Sequence, residues 1–541
     1  MNNKLKIALL YFYAIILFQS CKNVLSITNG NTDIPYYQVN DSIKLKIHSL
    51  KKLNNCGLDI YNTEGVIISH ILFEVTSQKN PSHFAYENNS KHLYTLSGLV
   101  QEMEFGTYLL NNEIPFLVGD EKIDKDIVID GYTDKFSYQE NDTFKLFVNS
   151  KTAINNYILK INDINGKLVK SILCDISPQK KPDEFAYEKG FGYQLTLKSL
   201  MPNLKSGIYL FDNKIPFLVR SKKQPEILVV YSSNTENAYS KSGGKSLYSY
   251  DPIAKKHTPI VSFLRPIGLP SHSTDFLRWI NTQKAYSIGY ICDKDLDNYE
   301  NIKGAKLLII PGHNEYWTRM ARRNFDRFVD EGSNSLILSG NTMWWQVRYN
   351  DEKNQLICYK NKEYDSAVDS LKTVTWPEAL VNYPIINSIG LDFNHGGYGL
   401  KDDNGWDGFK IVNPRSPLLK GTGLKYNDIL KLPTDEYDGT LLEFSNDSTK
   451  VELKNKSLFH KSELIGYDFG FRFHTTIGTW IVIQHKASSG VIINTASTDW
   501  CSKTGMLGKS SHIIKKITLN MIDLLLQNNK EKIFTTKPKL H

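Results

Sequence analysis

The chain has 541 residues, of which 41% are hydrophobic and 23% charged, and this length and composition are typical of a globular protein with three or four domains. The formal net charge of +8 is modest for this length, and lysine and arginine are spread along the sequence. The charge pattern therefore gives no indication of nucleic-acid binding.

The N-terminus has the layout of an export signal. Lys4 and Lys6 precede an apolar run over 7–18, which is short for a transmembrane span, and a small residue and Cys21 follow. A cysteine in this position resembles a bacterial lipoprotein cleavage site. We therefore expect residues 1–21 to be the signal, Cys21 to be lipidated, and the mature chain to be anchored to a membrane of the bacterial cell envelope. An ordinary secretory signal or an uncleaved anchor is the alternative.

Two consecutive segments repeat each other. Phe84-Ala85-Tyr86 recurs as Phe185-Ala186-Tyr187, and Ile114-Pro115-Phe116-Leu117-Val118 recurs as Ile215-Pro216-Phe217-Leu218-Val219. The copies cover 31–119 and 127–220, and each contains short stretches of alternating polar and apolar residues between turn signals. This pattern predicts two tandem β-sandwiches of Ig-like type, which commonly serve as spacers or binding platforms.

The predicted α/β domain covers 225–527: from residue 225 the pattern changes to alternating strands and helices, and the remainder, about 365–527, is mixed. The sequence predicts strands at 226–231, 286–291, 306–310, 335–338, 479–483 and 490–493, and helices at 274–283, 318–330 and 513–527. Continuous apolar strands that alternate with helices indicate a parallel, doubly wound α/β sheet, whose ligands bind beyond the carboxyl ends of the strands. Residues 528–541 are predicted to form a basic tail.

Polar residues lie at the ligand edge of this predicted sheet. His313 and Glu315 follow one strand, and a carboxylate and an imidazole two residues apart can act as an acid/base pair or as a metal ligand with its supporting residue. Asn341 follows the next strand, where its amide can hold a carbonyl or an oxyanion. A helix cap with a surface histidine is the alternative explanation for the first pair.

Several motifs of the α/β segment together resemble a known family. They are Asn234-Thr235-Glu236-Asn237-Ala238-Tyr239, Pro311-Gly312-His313-Asn314-Glu315-Tyr316-Trp317, Ser339-Gly340-Asn341-Thr342-Met343-Trp344-Trp345-Gln346-Val347-Arg348, Glu436-Tyr437-Asp438-Gly439 and Ala496-Ser497-Thr498-Asp499-Trp500. In order and number, these motifs resemble the large (beta) subunit of N,N-dimethylformamidase and its relatives over about 205–527. The chain departs from the family where Glu236 or Asn237 replaces a usual aromatic residue.

The resemblance implies a fold, a cofactor and a set of site residues. The family's core resembles a class I glutamine amidotransferase without its cysteine nucleophile, and its characterised amidase uses a mononuclear ferric iron held by two tyrosinates and one glutamate. By position, the matching ligands are Glu315 and Tyr239. Tyr209 is the candidate for the second tyrosine, although its repeat counterpart Tyr108 leaves a structural role open.

The same resemblance assigns the remaining residues. His313 would support a ligand without binding the metal, and Asn341 and Glu436 would face the substrate, where His313 or Glu436 could move protons. The predicted function is hydrolysis of a C–N bond in a small amide. The alternatives are a non-catalytic lipoprotein that binds a glycan or peptide, and a glycan hydrolase with Glu315 and Glu436 as paired carboxylates. The sequence leaves a homo-oligomer open.

Overall fold

The computed structural model describes residues 127–248, 257–399, 406–445, 451–527 and 529–535, and within 27–119 it describes Val66 and eight strands. The predicted signal with Cys21 lies outside the described residues. The chain divides into two compact units with a boundary between Asp124 and Lys125. No helix in the described ranges is long and apolar enough to cross a membrane.

The strands that the structure describes in the first unit form one sheet. Its strands are β1 Ile27–Thr32, β2 Tyr36–Gln38, β3 Ser42–Ser49, β4 Asn55–Asn62, β5 Ile67–Lys79, β6 His92–Leu99, β7 Gly106–Leu110 and β8 Ile114–Gly119. They are hydrogen-bonded in the order β1-β3-β6-β5-β4-β7-β8-β2. This one continuous hydrogen-bonded sheet differs from the two separate sheets expected of a sandwich. The long strand β5 explains it, because its first half pairs with β4 and its second half with β6.

The second unit begins with a smaller β domain. Its elements are β9 Val128–Thr133, β10 Ser137–Tyr138, β11 Thr143–Ser150, β12 Ile154–Asp163, β13 Leu168–Ile176, the short helix α1 Ala186–Lys189, β14 Leu197–Leu200, β15 Gly207–Phe211 and β16 Ile215–Val219. The strands form a five-stranded sheet, β10-β16-β15-β12-β13, and a three-stranded sheet, β14-β11-β9. A buried core that includes Phe144, Leu146, Phe211 and Phe217 joins them. Two sheets around one core agree with the predicted sandwich, and its Ig-like type stays a prediction.

The α/β part follows in the same unit. Its strands are β17 Ile227–Tyr231, β18 Ile260–Ser262, β19 Ile288–Cys292, β20 Leu307–His313, β21 Tyr316–Thr318, β22 Asn334–Gly340, β23 Trp345–Asn350, β24 Gln355–Ile357, β25 Asp392–Tyr398, β26 Gly408–Ile411, β27 Ile429–Lys431, β28 Glu436–Gly439, β29 Leu442–Phe444, β30 Val451–Leu453, β31 Lys461–Phe471, β32 Thr475–Gln484 and β33 Val491–Asn494. Its helices are α2 Ser233–Tyr239, α3 Thr274–Asn281, α4 Arg319–Asp330, α5 Ile386–Ile389, α6 Lys503–Leu507 and α7 Ser511–Leu526. Short 3-10 turns occupy Asp293–Asp297, Tyr299–Asn301, Asp369–Leu371, Pro417–Leu419, Lys456–Leu458 and Lys530–Ile533.

One eleven-stranded sheet organises this part, in the order β19-β17-β20-β22-β33-β32-β28-β25-β31-β26-β27. The first five strands pair in parallel, as the alternation of strands and helices predicts. From β33 onward the pairings are antiparallel. The parallel half places the carboxyl ends of β17, β20 and β22 side by side, and the antiparallel half brings β28 to the same edge.

Part of the predicted tail is packed against the domain. Ile533 is fully buried, Phe534 is nearly so, and the Thr535 backbone N–H donates to Glu463. The chain after 527 therefore contributes apolar surface to the core over the residues that the structure describes.

Candidate functional site

At the ends of β20 and β22, a glycine packs closely against the backbone of another segment. Gly312 has φ of 74°, and a Cβ there would lie 2.7 Å from the carbonyl oxygen of His272. A Cβ on Gly340 would lie 2.5 Å from the carbonyl oxygen of Glu436. Only glycine permits both approaches, and each brings a functional side chain, His313 or Glu436, next to the edge of the sheet.

Five of the predicted residues converge at this edge. The Tyr239 hydroxyl donates to Glu315 Oε2 at 2.8 Å. His313 Nε2 lies 3.5 Å from Glu315 Oε2 and 3.3 Å from Glu436 Oε2. Asn341 Nδ2 donates to Glu436 Oε2 at 3.1 Å. We call Tyr239, His313, Glu315, Asn341 and Glu436 the edge cluster.

Burial perturbs the ionisable groups of this cluster. Burial raises the pKa of Glu315, and the positive charge of Lys360 opposes that rise. Burial and the neighbouring Glu315 raise the pKa of Glu436 well above its usual range. Burial and the nearby His272 lower the pKa of His313 well below its usual range, so that its imidazole is neutral. His313 Nε2 is buried without a hydrogen-bond partner in the described part of the chain.

Aromatic side chains and one lysine border the cluster. The Tyr248 ring stacks on Tyr239, with centroids 4.7 Å apart. Lys360 Nζ donates to the Tyr316 hydroxyl at 2.8 Å and lies 4.8 Å from the centroid of the Trp345 ring. Sequence reasoning missed Lys360, because it lies in an irregular segment after β24 with no motif around it.

A buried polar network supports the cluster from within the domain. Asp293 accepts the backbone N–H of Asn234 at 2.7 Å and Nδ2 of Asn314 at 3.1 Å. The backbone N–H of Glu315 donates to Thr235 Oγ1 at 2.9 Å. These bonds tie the start of α2 to the segment after β20, so that Tyr239 at the end of α2 faces Glu315.

The sixth predicted residue, Tyr209, is not brought to the edge cluster. It lies on β15 in the core of the second β domain, where its ring stacks on Phe217 with centroids 5.7 Å apart. Its hydroxyl donates to the Lys205 carbonyl at 2.8 Å. Burial, with a smaller contribution from Asp163, raises its pKa to about 12, which opposes formation of a tyrosinate.

The donor atoms of the cluster fit a hard cation only if a tyrosine takes part. Among the described residues, no group of three or more His, Cys, Asp or Glu side chains is arranged to hold a metal ion. Tyr239 adds a phenol oxygen beside Glu315, and His313 Nε2, which makes no hydrogen bond among the described residues, lies within 3.5 Å of an oxygen of each carboxylate. Anionic oxygen donors suit a hard ion such as ferric iron.

Comparisons with known proteins point to one family. The profile of the family described as "N,N-dimethylformamidase beta subunit-like, C-terminal" matches residues 193–509. No curated protein matches the chain in sequence. A ThuA-like protein from Bacteroides uniformis ATCC 8492 is 12% identical, with 57% of this chain and 95% of that chain covered and a TM-score of 0.29. Murine CEACAM1b is 13% identical, with 35% and 95% covered and a TM-score of 0.11. At such TM-scores neither similarity indicates a shared function.

Proposed function

We propose, because this chain belongs to the N,N-dimethylformamidase beta subunit-like family, that it hydrolyses the C–N bond of a small amide with a mononuclear iron at the edge cluster. The observation that carries the proposal is a connected set of contacts: Tyr239 donates to Glu315, and His313 Nε2 lies within 3.5 Å of Glu315 and 3.3 Å of Glu436. The family match extends over all four of these residues.

Tyr239 and Glu315 are the proposed ligands, and Glu436 and His313 are the nearest further donors. A ferric ion held there would act as a Lewis acid on an amide carbonyl. Burial lowers the pKa of His313 and keeps its imidazole neutral, so one ring nitrogen carries a lone pair that can accept a proton from a nucleophilic water. Asn341 Oδ1 is buried without a partner among the described residues, which leaves it free to receive an N–H of the substrate.

The first test is the metal content and visible spectrum of the purified chain. We expect near-stoichiometric iron and a tyrosinate-to-iron charge-transfer band. Both should be lost in Tyr239→Phe and in Glu315→Ala. Glu378→Ala changes an exposed glutamate away from the cluster and should keep both.

The variant Tyr209→Phe tests whether Tyr209 is the second tyrosine ligand of the proposed iron. The contacts of Tyr209 predict that this variant keeps its iron and its band. Loss of the band would restore Tyr209 as a ligand. A colourless wild-type chain that takes up no iron when iron is supplied would contradict the amidase proposal and favour the non-catalytic binding protein.

We also propose that the chain is exported and anchored through Cys21, on the basis of its N-terminal sequence alone. Metabolic labelling with a radioactive fatty acid should mark the wild-type chain and leave Cys21→Ala unlabelled. Equal labelling of both would contradict the proposed anchor.

A further inference from the structure

A cavity separate from the edge cluster lies between the small β domain and the parallel sheet. Its volume is about 590 Å³, within the usual range for small-molecule sites. Its wall is formed by the loop before β15, the segment after β16, and the region from the end of α3 to β19. No residue of the edge cluster lines it.

The wall of this cavity is strongly basic. Its charged residues are Lys205, Arg220, Lys222, Lys223, Lys284 and a single acid, Glu140. Cations that come together from several segments produce a positive potential that attracts anions into the concave surface.

Most of these cations are not neutralised. Lys222 pairs with Glu140 at 2.8 Å, and Arg220 Nη1 lies 3.5 Å from an oxygen of Asp295. In contrast, neither Lys205 nor Lys223 has a side-chain partner in the described part of the chain. These two ammonium groups remain available to a ligand.

Two residues that line this cavity also carry buried hydrogen-bond donors. The Tyr290 side chain is 3% exposed, and its hydroxyl has no hydrogen-bond partner among the described residues. Arg220 Nε is likewise buried and unpartnered there. A buried donor without a partner costs free energy, and an oxyanion in the cavity would accept both of these donors.

We propose that this cavity binds a small ligand that carries at least two phosphate, sulfate or carboxylate groups. Lys205 and Lys223 supply charge, and Tyr290 and Arg220 supply directed hydrogen bonds from the floor. Tyr209 positions the wall, because its hydroxyl holds the carbonyl of Lys205.

Titration calorimetry of the full chain with inorganic pyrophosphate, sulfate and citrate tests this site. We expect at least one anion to bind, and the strongest of the three identifies the ligand as a phosphate, sulfate or carboxylate compound. The double variant Lys205→Gln/Lys223→Gln should bind it at least tenfold more weakly, and Tyr290→Phe about tenfold more weakly.

The matched control is Lys353→Gln/Lys420→Gln, which removes the same charge from exposed positions outside the cavity. The control should bind like the wild type. Absence of binding by all three anions, or equal weakening in the two double variants, would overturn the proposal. Binding that disappears for every anion at physiological ionic strength would identify an adventitious ion only, and would overturn it as well.

Discussion

Replacing Glu236 by glutamine should stabilise the α/β part in a pH-dependent way. Glu236 lies on α2, one turn before Tyr239. Burial and the charge of Asp293 raise its pKa to about 8. An unfolded glutamate has a pKa of about 4.3. Between these values the folded state holds a proton that the unfolded state has released, so the free energy of unfolding falls as the pH rises.

The size of the change in the free energy of unfolding follows from the difference between the folded and unfolded pKa values of Glu236. Each pH unit changes the free energy of unfolding by about 1.4 kcal/mol, which sets an upper limit of about 4 kcal/mol at pH 7. Glu236 keeps some contact with solvent, which reduces the effect. We therefore expect Glu236→Gln to be more stable than the wild type by about 1–3 kcal/mol at pH 7 and equally stable near pH 4.5.

Urea unfolding followed by tryptophan fluorescence measures this difference selectively. All eight tryptophans lie between Trp279 and Trp500, so the signal reports the α/β part alone. Glu378→Gln, at an exposed position, is the control and should give no pH-dependent difference. A stability difference for Glu236→Gln that is the same at pH 5 and pH 8, or that has the opposite sign, would refute the reasoning.

Three further predictions concern other positions. Asp365 is buried, but it accepts two hydrogen bonds of 2.8 Å from Arg348 and further bonds from Thr373 and Ala367, and together these outweigh burial and lower its pKa. Asp365→Asn should lower the free energy of unfolding, measured with urea at pH 7, by about 3 kcal/mol. Below about pH 4 the variant should lose less stability than the wild type, because the wild-type carboxylate becomes protonated there. Gly340→Ala places a Cβ 2.5 Å from a backbone oxygen, and should cost about 2–4 kcal/mol and displace the edge cluster, measured by unfolding and by iron uptake. His395 Nδ1 donates a hydrogen bond to Asp392, which raises the pKa of His395; the pair therefore stabilises the fold below about pH 6.5, and this contribution is lost as the pH rises. Asp392→Asn should lower the pKa of His395 in an NMR titration, and an unchanged pKa would contradict the pairing.

Local patterns in the sequence predict the parallel half of the fold well. The predicted strand 306–310 is observed as β20, and the predicted helix 318–330 as α4. Thr318 caps α4, since its hydroxyl accepts the Ala321 N–H at 3.0 Å. Ser273 occupies the N-cap of α3, but its side chain makes no capping bond. These elements are predictable because each depends on residues adjacent in the chain.

The antiparallel half of the large sheet is not predictable from the same patterns. β28 lies between β25 and β32, whose residues are far from it in sequence. Alternation of polar and apolar residues identifies a strand, but it does not specify which distant strand will pair with it. The position of Glu436 at the edge cluster therefore came from the resemblance, and the sheet order explains it.

Tyr209 shows why a motif position does not by itself identify a ligand. Its neighbours on β15 are all buried, and the repeat gives it a counterpart, Tyr108, in the first β domain. Both observations indicate a core tyrosine. The Lys205 carbonyl, in the loop before β15, already accepts a hydrogen bond from its hydroxyl. The sequence could not reveal that bond.

The edge cluster combines groups that a stable core normally avoids. Glu315 is buried and Glu436 is partly buried, each has a raised pKa, and the imidazole close to both carboxylates is neutral. The positive charge of Lys360 opposes the raised pKa of Glu315, but the Lys360 ammonium group donates its hydrogen bond to the Tyr316 hydroxyl. Such an arrangement lowers stability unless a proton or a cation is bound among the carboxylates. A hard cation would reduce this cost by pairing with the carboxylates, and a proton bound to either carboxylate would reduce it as well.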